Sequence, residues 1–336
     1  MIIKEGVNLQ KHHTFGIKVK AEQMLICDTL DDILEYTYHL TQHPDSNFLI
    51  LGGGSNILFA EDYEGTIIKP DFKGITIMDE TDEHIYLHAS AGEDWDEFVK
   101  HCVDNNFGGI ENLSLIPGNV GACPIQNIGA YGVEVKDTIT EVRFVNIYTG
   151  KIGIFNNDEC EFGYRTSVFK TQIKGDVIIT GVTFKLTKNT HKLMLDYGDL
   201  KDRLKGKEHT LATVRDTIIA IREEKIPDPK KIGNAGSFFK NPVIEASHFD
   251  ELKSKYDDIK GYETAEGIKV PAAWLIEKCG YKGKRTGDVG VNPSQALVLV
   301  NYGNASSKDI LELANNIKKD VFADFNIQLD IEVNII

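Results

Sequence analysis

Two side chains have the types and settings that reactions use, Arg165 and Ser237, and a third, Glu332, has the type alone. Arg165 follows Tyr164 in Tyr164-Arg165-Thr166-Ser167-Val168-Phe169-Lys170. A guanidinium offers a fork of donors suited to a carboxylate, and a tyrosine beside it is an apolar platform with a polar tip. A surface ion pair would account for Arg165 equally well. Ser237 ends Gly233-Asn234-Ala235-Gly236-Ser237, where glycines permit a sharp approach. No GxSxG elbow surrounds it and no histidine stands in clear support, so an acyl-transfer triad is not indicated. Glu332, near the end of the sequence, reads by itself as a solvated carboxylate.

Two glycine segments could bring a ligand against the main chain. Gly52-Gly53-Gly54-Ser55-Asn56 follows the strand-like Phe48-Leu49-Ile50-Leu51 and points N–H groups toward an anion, although a tight turn explains the glycines equally well. Ile57 occupies the place of the last glycine of a dinucleotide fingerprint, and GxxxxGK[ST] is absent. The run from Ile116 to Gly132 holds Pro117, Gly118, Val120, Gly121, Ala122, Gln126, Asn127, Gly129, Ala130, Tyr131 and Gly132 with almost no charge. As a mere loop it would be unusually long and apolar, so ligand contact is the stronger reading. A flat ring or a diphosphate suits its small residues, and Gln126 and Asn127 could orient a ring edge.

These segments need elements to position them. Thr29–Gln42 carries Leu30, Ile33, Leu34, Thr37 and Tyr38 on one helical stripe with Thr29 as cap. Asp94–Asn105 repeats the pattern through Trp95, Phe98, Val99, Cys102 and Val103. Val142 and Phe144, and Val182, Phe184 and Leu186, alternate as strands. A helix over about 210–224 turns Leu211, Val214, Ile218 and Ile221 inward and stops at Ile226-Pro227-Asp228-Pro229, the clearest boundary. Helices over Pro271–Gly280 and Ser306–Phe322 follow, and Ile327–Ile336 alternates like a strand.

Composition narrows the partners. The 336 residues are 26% charged and carry a formal charge of −14, which disfavours nucleic acid and anionic membrane. No apolar run approaches the ~18 residues of a membrane span, and the first residues lack a signal-peptide core. Cys27, Cys102, Cys123, Cys160 and Cys279 form no CxxC pair, so free thiols in a reducing, cytoplasmic setting are expected. His39/His43, running into Pro44, and His84/His88 are HxxxH pairs without a third ligand nearby, and no metal is expected.

The two glycine segments, in this order, resemble the FAD-binding domain of vanillyl-alcohol-oxidase-like flavoproteins. With His13-Thr14-Phe15-Gly16-Ile17, Tyr164–Lys170, Gly233–Pro242 and Leu329-Asp330-Ile331-Glu332-Val333, the chain is similar throughout to the UDP-N-acetylenolpyruvoylglucosamine reductase family. The resemblance implies an α+β fold: a vanillyl-alcohol-oxidase-like (PCMH-type) FAD-binding domain over about 17–188 and a C-terminal α+β substrate-binding domain. The division expected is 1–69 with 326–336, then 70–226, then 227–325.

FAD and NADPH are the implied cofactors, and the implied reaction reduces the enolpyruvyl group of a UDP-sugar to give UDP-N-acetylmuramate, a peptidoglycan precursor. By the same resemblance Arg165 polarises the substrate carboxylate, Ser237 donates a proton and Glu332 is the third catalytic group. Tyr164, Lys225 and Asn241 contact substrate, and Tyr197 in Asp196-Tyr197-Gly198-Asp199-Leu200 matches the capping loop of one form of this enzyme. A monomer is expected. His13 departs from the asparagine usual before Thr14, and Cys123 stands where a small hydroxyl residue is common. A different flavin oxidoreductase on the same scaffold, or a non-catalytic nucleotide-sugar binder, would keep the glycine segments but not the need for Ser237.

Overall fold

The computed structural model describes residues 1–43 and 45–336, so Pro44 lies outside the described residues. The chain forms two compact units. The first takes Met1–Val7, Ala21–Gly53 and Glu64–Arg222; the second takes Asn8–Lys20, Gly54–Tyr63 and Glu223–Ile336. This grouping is coarser than the three-part division and sets residues 54–63 together with the terminal segment. The break after Arg222 lies shortly before the Ile226–Pro229 stop.

In the first unit, the strand Lys20–Cys27, the helix Leu30–Gln42 and the strand Phe48–Ile50 make the expected β-α-β opening. Phe48–Ile50 runs parallel to Tyr63–Pro70, Leu49 facing Ile67. The helix begins where expected. Thr29 Oγ1 accepts from Asp32 N at 3.1 Å and the Asp32 carboxylate accepts from Thr29 N at 3.0 Å, closing a capping box. Its buried face is Ile33, Tyr36, Thr37 and Leu40, whereas Tyr38 is 69% exposed. Of the expected stripe, Leu30, Ile33, Leu34 and Thr37 are buried or packed on this core and only Tyr38 fails: at 100° per residue Leu40 falls between Tyr36 and Ile33, and Tyr38 falls on the far side.

The remainder of this unit is built on a five-stranded antiparallel sheet. Its order is Ile152–Asn156, Ile139–Asn146, Val177–Thr187, His84–Ser90 and Ile75–Glu80. The register pairs Val142 with Val182, and Phe184 with Leu87. The helix Trp95–Asp104 packs on it with all five expected residues buried. Trp95, Phe98 and Phe184 meet at ring separations of 4.9 to 6.0 Å. Each such buried ring contributes about 1.5–3 kcal/mol, enough to fix the start of this helix. The helix Leu211–Lys225 buries Leu211, Val214, Ile218 and Ile221 as expected.

The second unit contains two small three-stranded sheets and the helices Ala246–Lys255, Ala272–Lys278 and Ser307–Phe325. Ser306 caps the last helix through a second capping box with Asp309. The terminal segment keeps its alternation, with Ile327, Leu329 and Val333 buried. It is not one continuous strand, because its partner changes. Ile331 bridges Phe239, and only Asn334–Ile335 forms a ladder, parallel to Ile57–Leu58. Among the described residues no helix is long and apolar enough to cross a membrane.

Candidate active site

The glycine segments of the first unit meet main chain to main chain. A Cβ on Gly53 would lie 2.8 Å from Gly118 Cα, and one on Gly121 would lie 2.6 Å from Ala91 Cβ. Only glycine fits such approaches. The helix Trp95–Asp104 holds the second segment by its N-terminal end: Trp95 N donates to Gly118 O at 3.0 Å and Trp95 Nε1 to Leu113 O at 2.9 Å. Asn119, absent from the expected contacts, donates through Nδ2 to Gly92 O at 2.8 Å. The result is a cradle of glycine, alanine and backbone, a lining compatible with a flavin and its diphosphate, in which Gly53 and Gly121 admit no side chain.

Asp96 and Arg215 support this cradle and were not anticipated. Arg215 donates to both carboxylate oxygens of Asp96, at 2.6 and 2.9 Å. Asp96 also accepts from Leu115 N at 2.5 Å, and Leu115 has a φ of 58°. Burial pushes the Asp96 carboxyl upward, but the Arg215 and Leu115 donors and the nearby arginine charges outweigh it, so its pKa is lowered. Arg222 Nε donates to Leu115 O at 3.3 Å. Its one sequence signal is the spacing of Arg215 and Arg222, seven residues apart beside the apolar stripe of one helix.

Arg165 lies beside the same cradle. Its Nη2 donates to Gly129 O at 2.8 Å, and its guanidinium stands 5.6 Å from the Tyr164 ring centre. Arg165 has a φ of 55°, a left-handed conformation costing about 1–2 kcal/mol. Backbone strain of this kind gathers at functional sites. Asn127 does not match its expected ring-edge role. It is fully buried; Nδ2 donates to Gly163 O and Glu134 Oε2, and Oδ1 accepts from Lys136 N. Its side chain builds the loop. Gln126 Oε1 accepts from Lys170 Nζ at 3.4 Å. Tyr197 is 54% exposed and packs edge-on to Tyr131 at 6.1 Å.

Burial raises the Cys123 thiol well above its ordinary pKa, so it is a packed thiol rather than a nucleophile. All five cysteines are free. The His39 and His43 rings lie 4.6 Å apart, tilted by 40°, and among the described residues no cluster could hold a metal ion.

In the second unit the backbone at Glu332 runs beside the residues that follow Ser237. Glu332 N donates to Phe238 O at 2.9 Å and Lys240 N to Asp330 O at 2.9 Å, so the terminal segment lies against the residues that follow Ser237. Phe238 and Phe239 are buried, which anchors the turn and leaves Ser237 half-buried. Asn234, not anticipated, shapes that turn. Its Nδ2 donates to Pro227 O and Ile232 O, and its Oδ1 accepts from Gly236 N. Its signal was an asparagine between two glycines.

Asn56 Nδ2 donates to Glu332 O at 3.4 Å, and Asn334 N to Asn56 O at 3.1 Å. Gly54 has a φ of 63°, and a Cβ there would meet His12 O at 2.2 Å. Asn241 Oδ1 accepts from Ala272 N at 2.9 Å, so this expected substrate contact also caps a helix. Lys225 O accepts from Asn292 Nδ2. His13 is buried, with Nε2 directed at Ile17 O at 3.1 Å, and burial lowers its pKa.

Comparison with known proteins completes this picture. Residues 228–336 match the family model described as the UDP-N-acetylenolpyruvoylglucosamine reductase C-terminal domain, and residues 22–155 match the FAD binding domain. A UDP-N-acetylenolpyruvoylglucosamine reductase of Flavobacterium johnsoniae is 46% identical over 340 residues, covering 100% of both chains. The chain belongs to the UDP-N-acetylenolpyruvoylglucosamine reductase family. A reductase of Bacteroides fragilis is 44% identical over 338 residues, covering 99% of this chain and 100% of its own. The crystal structure of the Thermus caldophilus reductase, 21% identical, superposes with a TM-score of 0.69 over 99% of each chain and shares the fold. Membership in this family makes the chain an FAD-dependent oxidoreductase of mixed α and β structure.

Proposed function

We propose that the chain reduces UDP-N-acetylglucosamine enolpyruvate to UDP-N-acetylmuramate, using FAD and NADPH, in the supply of peptidoglycan precursors. The observation that carries the mechanism is the bridge setting Glu332 against the residues after Ser237, in a chain of this family. Residues 1–226 with 326–336 carry the cofactor on this reading, and 227–325 bind the sugar nucleotide. Gly52–Asn56 and Pro117–Gly132 would hold FAD, which when bound supplies the hydride taken from NADPH.

The protein's part is alignment and charge. As hydride reaches the outer enolpyruvyl carbon, negative charge spreads from the neighbouring carbon into the carboxylate. Arg165, already aimed by Gly129 O and Tyr164, stabilises that charge as it develops. Glu332 organises the carboxylate end while sharing a proton. Ser237 gives its hydroxyl proton to the carbanionic carbon; a hydroxyl is a weak acid, so this works only against a strongly basic, well-placed intermediate. Tyr164, Tyr197, Lys225 and Asn241 bind the UDP-sugar. The enzyme works as a cytoplasmic monomer.

An anaerobic visible spectrum tests the reading. Flavin bands should bleach with NADPH and return with stoichiometric enolpyruvyl UDP-sugar; bands that stay bleached would reject the substrate. Ser237→Ala should bleach normally, yet lose about 10²–10⁴-fold in reoxidation by substrate. Equal loss in both half-reactions would reject Ser237 as the proton donor.

A further inference from the structure

Asn112 has no part in the chemistry above. It sits in the short turn Glu111–Leu113 and is wholly buried. Its Nδ2 donates to two main-chain carbonyls at 2.8 Å each, those of Tyr131 and Met194. An amide NH2 has two protons to give, which two converging carbonyls require. The acceptors belong to different stretches of the first unit. Tyr131, at a φ of 49°, lies in the apolar glycine segment, and Met194 lies in the loop that leads to Tyr197.

That loop is held at its start by His191, whose ring nitrogens meet Thr187 Oγ1 at 2.7 Å and Asn106 Oδ1 at 3.2 Å, and at its end by the Lys201–Asp196 ion pair. From His191 to Asp196 it forms neither helix nor strand ladder. Leu193 and Leu195 pack against the cluster of Leu200, Leu204, Val214, Ile218 and Ile221. The carbonyl between these two anchors is the one that Asn112 takes. Close packing lies directly beside it: a Cβ on Gly132 would sit 3.1 Å from Met194 Cγ and 3.5 Å from Tyr197 Cβ.

We propose that Asn112 is a positioning residue for substrate binding, tying the Tyr197 loop to the Tyr131 turn so that Tyr197's hold on the sugar nucleotide depends on it. The proposal rests on the reading of Tyr197 as a substrate contact. Without the amide, two part-buried carbonyls lose their donor, and because Met194 is exposed the cheaper relief is for the loop to peel away and turn its carbonyl to water.

The test compares Asn112→Ala with Tyr197→Ala in the FAD-loaded enzyme, with rates expressed per bound FAD. For Asn112→Ala the KM for the enolpyruvyl UDP-sugar should rise about tenfold or more, kcat should stay within about threefold, and amide hydrogen exchange at 193–199 should quicken. Asn112→Ser, which keeps one donor, should fall between and serves if the alanine variant does not fold. A normal KM in either Asn112 variant, while Tyr197→Ala raises it, overturns the tether. So does a fall in kcat with KM unchanged, or exchange that stays slow. A normal KM in Tyr197→Ala rejects Tyr197 as a substrate contact instead, and with it the use of the tether.

Discussion

The glycine cradle of the first unit and the Ser237 turn of the second solve different problems. In the cradle, function lies in what is missing: Gly53 and Gly121 pass so close to Gly118 and Ala91 that no side chain can be added. In the turn, function lies in side chains carried on a short backbone bridge, and Gly236, at a φ of 67°, has nothing within 4 Å of where a Cβ would go. The first is a shape that substitution fills. The second is a presentation that substitution empties while the backbone stays. The contrast predicts that lesions in the cradle cost flavin and fold together, whereas lesions at the turn cost chemistry first.

Gly53→Ala pairs naturally with Gly236→Ala. Gly53→Ala must move the Gly118 backbone, so it should abolish FAD retention, seen in the ratio of flavin to protein absorbance. Full flavin content in that variant would break the comparison. Asp96→Asn should come next. It removes one charge of a largely buried bidentate pair and should cost about 3 kcal/mol in denaturant unfolding, with weaker FAD retention because Leu115 leads into the cradle. Gly236→Ala should cost only the left-handed strain of about 1 kcal/mol, with flavin retained.

His13→Asn should have the smallest effect and sharpens the comparison through pH. The folded protein binds a proton at His13 less readily than the unfolded chain does, because burial lowers the pKa from the ordinary 6.5. The stability it contributes is complete above that value and declines as pH falls below it toward the depressed one. Melting temperatures between about pH 7 and pH 5 should therefore fall less in His13→Asn than in the parent. An equal fall would remove His13 from the account.

Much of this was legible from local pattern. The helix Trp95–Asp104 shows its buried face in its spacing, and the cap at Thr29 declares itself by residue type. Tyr38 stood in for Tyr36 because nearby tyrosines are alike in apolarity, and only packing chooses between them. What stayed hidden was non-local polar pairing. Asp96 with Arg215, and Asn112 with Tyr131 and Met194, join residues that no periodicity links. Asn127 was misread for a related reason, since composition marks an amide as able to bind a ring but does not reveal that its bonds are already made.

The second unit draws Asn8–Lys20 and Gly54–Tyr63 from early in the chain and the rest from Glu223 onward. Leu58 and Phe59 are fully buried in the finished protein, yet the strand beside Ile57–Leu58 comes from Asn334–Ile335. During synthesis these apolar residues must stay in water until the late segment emerges. Pairings over such a separation are slow to find and expose sticky surface meanwhile. The second unit therefore completes its Ile57–Leu58 ladder only after residues 334–335 are made, and it cannot be cut out of the gene as one contiguous piece.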